Sequence, residues 1–237
     1  MNEGDILREL YAKKLIRTWY RDKPEGWILV SGLWSPFYVQ LRNLPSYPNL
    51  LNAIGLSLGS GMKSYGTKLL GIAMAGIPIA TAVSLHSGMP LCYTRKLAGV
   101  KKVEEIDQYA AQYGEHALVE GEIEEGDMFI AVDDIVTKFD SKLVALRQLE
   151  LEAAKRHIEV QCKCVAVVID RQQGAVDAAK QHGIVLHSLI KFKDNISYLK
   201  HAMNPSEYAV VKSYLDNPQR FQDSNTRSDI ISSISEE

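Results

Sequence analysis

A chain of 237 residues, 46% hydrophobic and 24% charged, has room for one large α/β domain with accessories. Those shares exclude a disordered, collagenous or disulfide-scaffold protein, because enough apolar side chains are present to form a packed core. With 27 Lys and Arg against 29 Asp and Glu, the formal charge of −2 offers no global basic field to nucleic acid or an anionic membrane, so any polyanion must be held by a few placed groups.

From Asp5 to Tyr20 the apolar residues Ile6, Leu7, Leu10, Leu15, Ile16 and Trp19 recur at helical spacing, predicting an amphipathic N-terminal helix. Residues 22–48 carry Pro24, Pro36, Pro45 and Pro48 around the run Trp27-Ile28-Leu29-Val30, which predicts short strands and loops forming a hood. A helix is expected over 50–65. Strands then alternate with helices: strand 69–73, helix 79–86, strand 90–93, strand 128–132, helix 141–157 and strand 164–169. The last strand is continuously apolar, as strands buried on both faces are. This alternation predicts a mostly parallel central sheet flanked by helices, on the scale of five strands. The division expected is 1–48 as helix and hood, 49–217 as core, and 218–237 as a polar, disordered tail.

Three cysteines make no disulfide framework, and Cys162-x-Cys164 lacks a second Cys or His pair at zinc spacing, so strand thiols and no metal site are expected. No signal peptide and no apolar run of about 18 residues is legible, so a cytoplasmic protein without a membrane partner is expected. Gly61 to Lys68 has the glycine spacing of a P-loop, but it ends Gly-Thr-Lys and precedes a strand instead of following one, which excludes that motif.

Three segments carry candidate chemistry. The strand Phe129 to Val132 runs into Asp133-Asp134-Ile135-Val136-Thr137, with Ser141 near the next helix start. Ligands of parallel α/β sheets bind beyond the carboxyl ends of strands, where two carboxylates and hydroxyls suit a sugar phosphate. The same acids would also serve as plain helix caps, and both readings stay open. Ala73 to Ala82 leads a strand through a small-residue turn into a helix; Ala75 and Gly76 would let backbone amides approach pyrophosphate, or simply form a turn. Arg95-Lys96, at the end of the 90–93 strand, would neutralise a leaving anion or be a solvated pair.

Taken in order, these segments resemble the type I phosphoribosyltransferases, and among them the orotate phosphoribosyltransferase family. Val132-Asp133-Asp134-Ile135-Val136-Thr137 is similar to the motif that binds phosphoribosyl pyrophosphate (PRPP). Ser31-Gly32-Leu33-Trp34-Ser35-Pro36-Phe37-Tyr38 is similar to the base-site segment, Gly71 to Leu85 to the pyrophosphate loop and helix, and Tyr93 to Lys96 to the entry of the catalytic loop. Tyr113-Gly114 with Leu118 to Gly121 resembles that loop's return, and Asp170-Arg171-Gln172-Gln173-Gly174 the segment facing orotate.

The resemblance implies the type I phosphoribosyltransferase fold with a small N-terminal hood. It also implies Mg²⁺-dependent transfer of ribose 5-phosphate from PRPP to orotate by a homodimer. Carried over residue by residue, Asp133 and Asp134 hold ribose hydroxyls, Thr137 and Ser141 border the 5-phosphate, and Ala75 and Gly76 offer amides to pyrophosphate. Arg95 and Lys96 act on pyrophosphate from the neighbouring subunit, and Phe37, Tyr38 and Arg171 frame orotate. The sequence departs from the family pattern in four places. Lys138-Phe139-Asp140 replaces small residues and a glycine in the phosphate loop, and Val30 replaces a lysine. Ala111 aligns with a loop lysine for which Lys101 or Lys102 would substitute, and Gln40 replaces an aspartate. These departures keep a second reading open: a catalytically impaired protein of the same fold that binds a nucleotide or PRPP in a regulatory role.

Overall fold

The computed structural model describes residues 1–29, 32–100, 102–113 and 116–232, so Val30, Ser31, Lys101 and Gly114 lie outside the described residues. In chain order the first elements are α1 (Glu3–Ala12), β1 (Ile16–Thr18), β2 (Trp27–Ile28), β3 (Trp34–Ser35) and β4 (Phe37–Val39). There follow α2 (Pro48–Gly59), β5 (Lys68–Gly71), α3 (Gly76–Ser87), β6 (Leu91–Thr94), α4 (Ile106–Tyr113) and β7 (Val119–Glu120). Then come β8 (Met128–Val136), α5 (Asp140–Lys155), β9 (Gln161–Asp170), α6 (Ala175–Gln181) and β10 (Val185–Lys191). The chain ends with α7 (Phe192–Asn195), α8 (Pro205–Asp216) and α9 (Ser224–Ser232). It divides into two compact units, Met1–Asn43 with Phe192–Glu237, and Leu44–Lys191.

In the first unit, α1 opens on a reciprocal cap between Asn2 and Asp5 and buries Ile6, Leu7 and Leu10 on one face. Two short antiparallel pairs, β1 with β4 and β2 with β3, follow. The buried carboxylate of Glu207 on α8 accepts hydrogen bonds from the hydroxyls of Tyr11, at 2.8 and 2.9 Å, and of Thr18. It also accepts from the Asn204 amide at 3.2 Å, so the charge is buried with several donors around it. Phe37 is fully buried, its ring 5.2 Å from Phe192 and 5.6 Å from Tyr214.

The C-terminal stretch departs from expectation. Pro218–Gln222 forms a 3₁₀ helix and α9 follows it, where the polar composition predicts disorder. Phe221 is buried 5.4 Å from Tyr214, and the Gln222 side chain bonds both the N–H and the C=O of Trp34. Phe221 and the Gln222 amide anchor this stretch, and Trp19 Nε1 donates to Ile230 O at 3.3 Å, contacts that do not raise the apolar average of the segment. Residues 192–217, expected in the core, belong by contact with the N-terminal segment.

The second unit is a six-stranded sheet in the order β10-β9-β8-β5-β6-β7, parallel throughout except for β7 against β6. The five parallel strands have the doubly wound order 2-1-3-4-5, which reverses between β5 and β8. Phe129, Ala131, Val165 and Val167 form a core with Ala145, Leu146 and Leu149 of α5 and Ala175 and Ala179 of α6. A Cβ on Gly55 would lie 2.6 Å from that of Ala82, so this glycine lets α2 close on α3. β10, α4 and α6 are absent from the sequence reading; each is a short element whose period is hidden by polar residues.

Candidate active site

The reversal of strand order opens a crevice beyond the carboxyl ends of β5 and β8, and the candidate segments of this unit converge there. The Ile72 amide bonds Val132 O at 2.9 Å, continuing the β5–β8 ladder into the turn. A Cβ on Gly76 would lie 2.3 Å from Val132 O and 3.2 Å from Asp133 Oδ1. Only glycine therefore lets the first turn of α3 press against β8. The Gly76 amide is bonded to Ile72 O at 3.0 Å and the Ala73 amide to Thr94 Oγ1 at 3.0 Å. Of the two amides expected to meet pyrophosphate, the Ala75 amide has no partner among the described residues, and Gly76 contributes close approach.

The two aspartates lie inside β8, which runs on to Val136, and so are not caps of α5. Asp133 is buried, and both of its oxygens are used. Oδ1 accepts from the Asp134 amide at 2.8 Å, and Oδ2 accepts from Lys142 Nζ at 2.7 Å. Lys142, with 4% of its side chain exposed, also donates to Ile135 O at 2.7 Å and Ser141 Oγ at 3.3 Å. Asp134 is half-buried, with Oδ1 accepting from the Ile135 amide at 2.8 Å. Burial, then the charge of Asp133, pushes its carboxyl from 3.8 up to about 7, against the opposing pull of Lys142.

The phosphate-loop segment turns at Phe139, whose φ of 96° is a left-handed conformation that L side chains rarely adopt. Its ring is 2% exposed and packs into the core shared with α5, which offsets that backbone cost. Thr137 is half-buried, and Ser141 is exposed in the first turn of α5. At the ends of neighbouring strands, Arg95 pairs with Glu120 at 3.5 Å, Lys96 is exposed, and Arg171 is buried, its amide bonded to Val136 O at 3.0 Å.

The connection from Arg95 to Leu118 is closed at its neck by α5. Gln148 Nε2 donates to Arg95 O at 2.8 Å and Leu118 O at 3.2 Å, and Glu152 accepts from the Leu118 amide at 2.7 Å. Lys102, exposed, lies within this connection. Two of the three expected base-site residues belong to the other unit, where Tyr38 stacks on Trp27 at 6.0 Å and is half-buried, whereas the Phe37 ring is occupied by the aromatic core.

Sequence reasoning missed Lys142, Gln148 and Glu152. A signal for Lys142 exists: it stands three, four and seven residues before Ala145, Leu146 and Leu149, on the apolar stripe of α5, where a cation requires a buried carboxylate.

A doubly wound sheet with an Asp-Asp strand end at the switch point and a glycine-closed turn opposite is the architecture of a type I phosphoribosyltransferase. No family model matches the chain. Its sequence is 32% identical over 167 residues to the orotate phosphoribosyltransferase of Methanothermobacter thermautotrophicus, a match covering 70% of this chain and 82% of the relative. The chain belongs to the orotate phosphoribosyltransferase family. Among solved structures, UMP synthase of Leishmania donovani superposes with a TM-score of 0.72 at 23% identity; the match covers 90% of this chain and 42% of that one. Orotate phosphoribosyltransferase of Mycobacterium tuberculosis, solved in complex with PRPP, superposes with a TM-score of 0.57 at 21% identity, covering 82% of this chain and 99% of that one.

Proposed function

We propose that the chain transfers ribose 5-phosphate from PRPP to N1 of orotate, releasing pyrophosphate and forming orotidine 5′-monophosphate. The observation that carries this reading is the Asp133-Asp134 strand end, facing a turn that Gly76 alone allows to close, at the sheet's switch point. The transition state resembles an oxocarbenium ion, so the protein's contribution is to position two substrates and stabilise charge on the departing pyrophosphate. Asp134 accepts from ribose hydroxyls, and Thr137 and Ser141 border the 5-phosphate at the start of α5. The Ala75 amide meets pyrophosphate, Arg95, Lys96 and Lys101 or Lys102 supply cations, and Arg171 borders the base.

No group of three or more His, Cys, Asp or Glu able to hold a metal occurs among the described residues, and Asp133 is committed to Lys142. This donor set fits Mg²⁺ arriving on the substrate's own phosphate oxygens, where it would offset charge on the leaving group. No helix among the described residues is long and apolar enough to cross a membrane. The reading includes a cytoplasmic homodimer in which Arg95 and Lys96 act on the neighbouring subunit's pyrophosphate.

One observation favours the second reading, nucleotide or PRPP binding without turnover. Phe139 occupies a left-handed position suited to glycine, and Asp140 adds a charge at the first position of α5 beside the phosphate site. With Mg²⁺, PRPP and orotate, the purified protein should consume the ultraviolet absorbance of orotate, and Lys96→Ala should abolish this. Folded wild-type protein that binds PRPP by calorimetry without consuming orotate would establish the second reading instead.

A further inference from the structure

The Arg95-Lys96 pair leaves the sheet from a rung that its two strands complete only in half. β6 and β7 pair Tyr93 with Glu120 and Thr94 with Val119, and the next two residues share one bond, from the Arg95 amide to Leu118 O at 3.0 Å. The groups that would close this rung from the other side go to α5 instead. Arg95 O accepts from Gln148 Nε2 at 2.8 Å, and the Leu118 amide donates to Glu152 Oε2 at 2.7 Å. The same Gln148 nitrogen reaches Leu118 O at 3.2 Å, and Glu152 Oε1 accepts from Arg156 Nε at 2.9 Å. Gln148 and Glu152 stand four residues apart on one stripe of α5, 4% and 3% exposed. A buried amide and a buried carboxylate are costly where apolar side chains would fill the same face, and both are bonded to this one point of the chain.

We infer that Gln148 and Glu152 are positioning residues for Lys96: they take the two backbone groups of the unfinished rung, end the ladder at Arg95 and fix the main chain that carries Lys96. On the far side, Leu97 is buried with Ile106, Leu118 and Val144, so the exposed Lys96 is bracketed by anchored residues. Removing the Gln148 donor leaves Arg95 O to draw the Leu118 amide away from Glu152, completing the rung and letting antiparallel pairing run on into Lys96. Placement matters because a cation stabilises a leaving group only where the charge develops, and a shift of about 1 Å is enough to cost ~100-fold in rate. The inference rests on the role proposed for Arg95 and Lys96, and its consequence is confined to pyrophosphate. Ribose 5-phosphate is met by Asp134, Thr137 and Ser141, none of which lies on this connection.

The test measures dissociation constants for pyrophosphate and for ribose 5-phosphate, each with Mg²⁺, by calorimetry on wild type and on Gln148→Met, which keeps the side chain's length and loses its donor. Gln148→Met should weaken pyrophosphate binding about tenfold and lower kcat with PRPP and orotate about tenfold, with ribose 5-phosphate changed less than about twofold. A merely structural Gln148 would reduce the number of sites titrated and leave both dissociation constants in place. That result overturns the inference, as does equal weakening of both ligands. Should Gln148→Met fail to fold by circular dichroism, Gln148→Asn decides, since it keeps the amide on a side chain one methylene shorter, out of reach of the two carbonyls. It should show the same selective weakening; unchanged pyrophosphate binding, or failure of both variants to fold, refutes the positioning role. If wild type binds pyrophosphate without turning over PRPP and orotate, the transfer reading fails alone, and the pyrophosphate ratio still decides this one. If wild type does not bind pyrophosphate, the inference falls.

Discussion

Asp134 carries a cost that the fold tolerates for the sake of its site, and replacing it should expose that cost. Burial first, and the neighbouring Asp133 second, place its folded-state value at about 7 against an ordinary 3.8. Between those two values the folded protein keeps a proton on Asp134 that the unfolded chain has already released. Stability therefore falls as pH rises through this window and levels off above about 7. About two pH units of it lie between pH 5 and pH 7, worth at most ~3 kcal/mol. Lys142 and relaxation of the crevice reduce what is realised. Asp134→Asn removes the titration while keeping the shape. At roughly 2–4 °C per kcal/mol for a chain of this size, the variant should gain at least ~3 °C over wild type between pH 5 and pH 8, with PRPP binding lost. Thermal melts followed by circular dichroism at the two pH values measure this, and titrating groups remote from Asp134 cancel in the variant-minus-wild-type difference. An equal difference at both pH values would refute the reasoning.

Two further substitutions probe the same crevice. Phe139 combines a buried ring with a φ of 96°, so Phe139→Ala loses the packing and keeps the strain, whereas Phe139→Gly loses the packing and relieves it. Both should be destabilised, Phe139→Ala by ~3–5 kcal/mol and Phe139→Gly by about 1 kcal/mol less; urea melts in which alanine is the more stable variant would contradict the left-handed turn. Gly76→Ala places a Cβ 2.3 Å from a backbone oxygen of β8. It should cost ~1–3 kcal/mol by overpacking and lower PRPP affinity at least tenfold by calorimetry, and unchanged affinity would remove the close approach from the site.

Local pattern was enough to locate much of this protein. The apolar run ending in Asp133-Asp134 marked β8 and its carboxyl end, the small residues around Gly76 marked the turn into α3, and the continuous apolar stretch of β9 marked a central strand. Helix and strand periods are properties of neighbouring residues, so a chain reading recovers them without a partner. Short elements with mixed polarity, such as β10 and α6, have no such period and were lost.

What the sequence by itself determined was the class of sheet and the residue types gathered at its edge, because alternation of strands and helices dictates a parallel sheet and ligands then lie beyond its strand ends. Tertiary structure alone decided which of those residues have open bonding capacity. Asp133 and Asp134 are identical neighbours in the chain, and their surroundings separate only when α5 delivers Lys142 to one of them and the Ile135 amide meets the other. The same holds for the C-terminal stretch, polar by composition yet anchored by Gln222 to Trp34, 188 positions earlier. Hydrogen bonds and ion pairs between distant segments have no local signature, since each partner's environment is set by the packing of elements far apart in the chain.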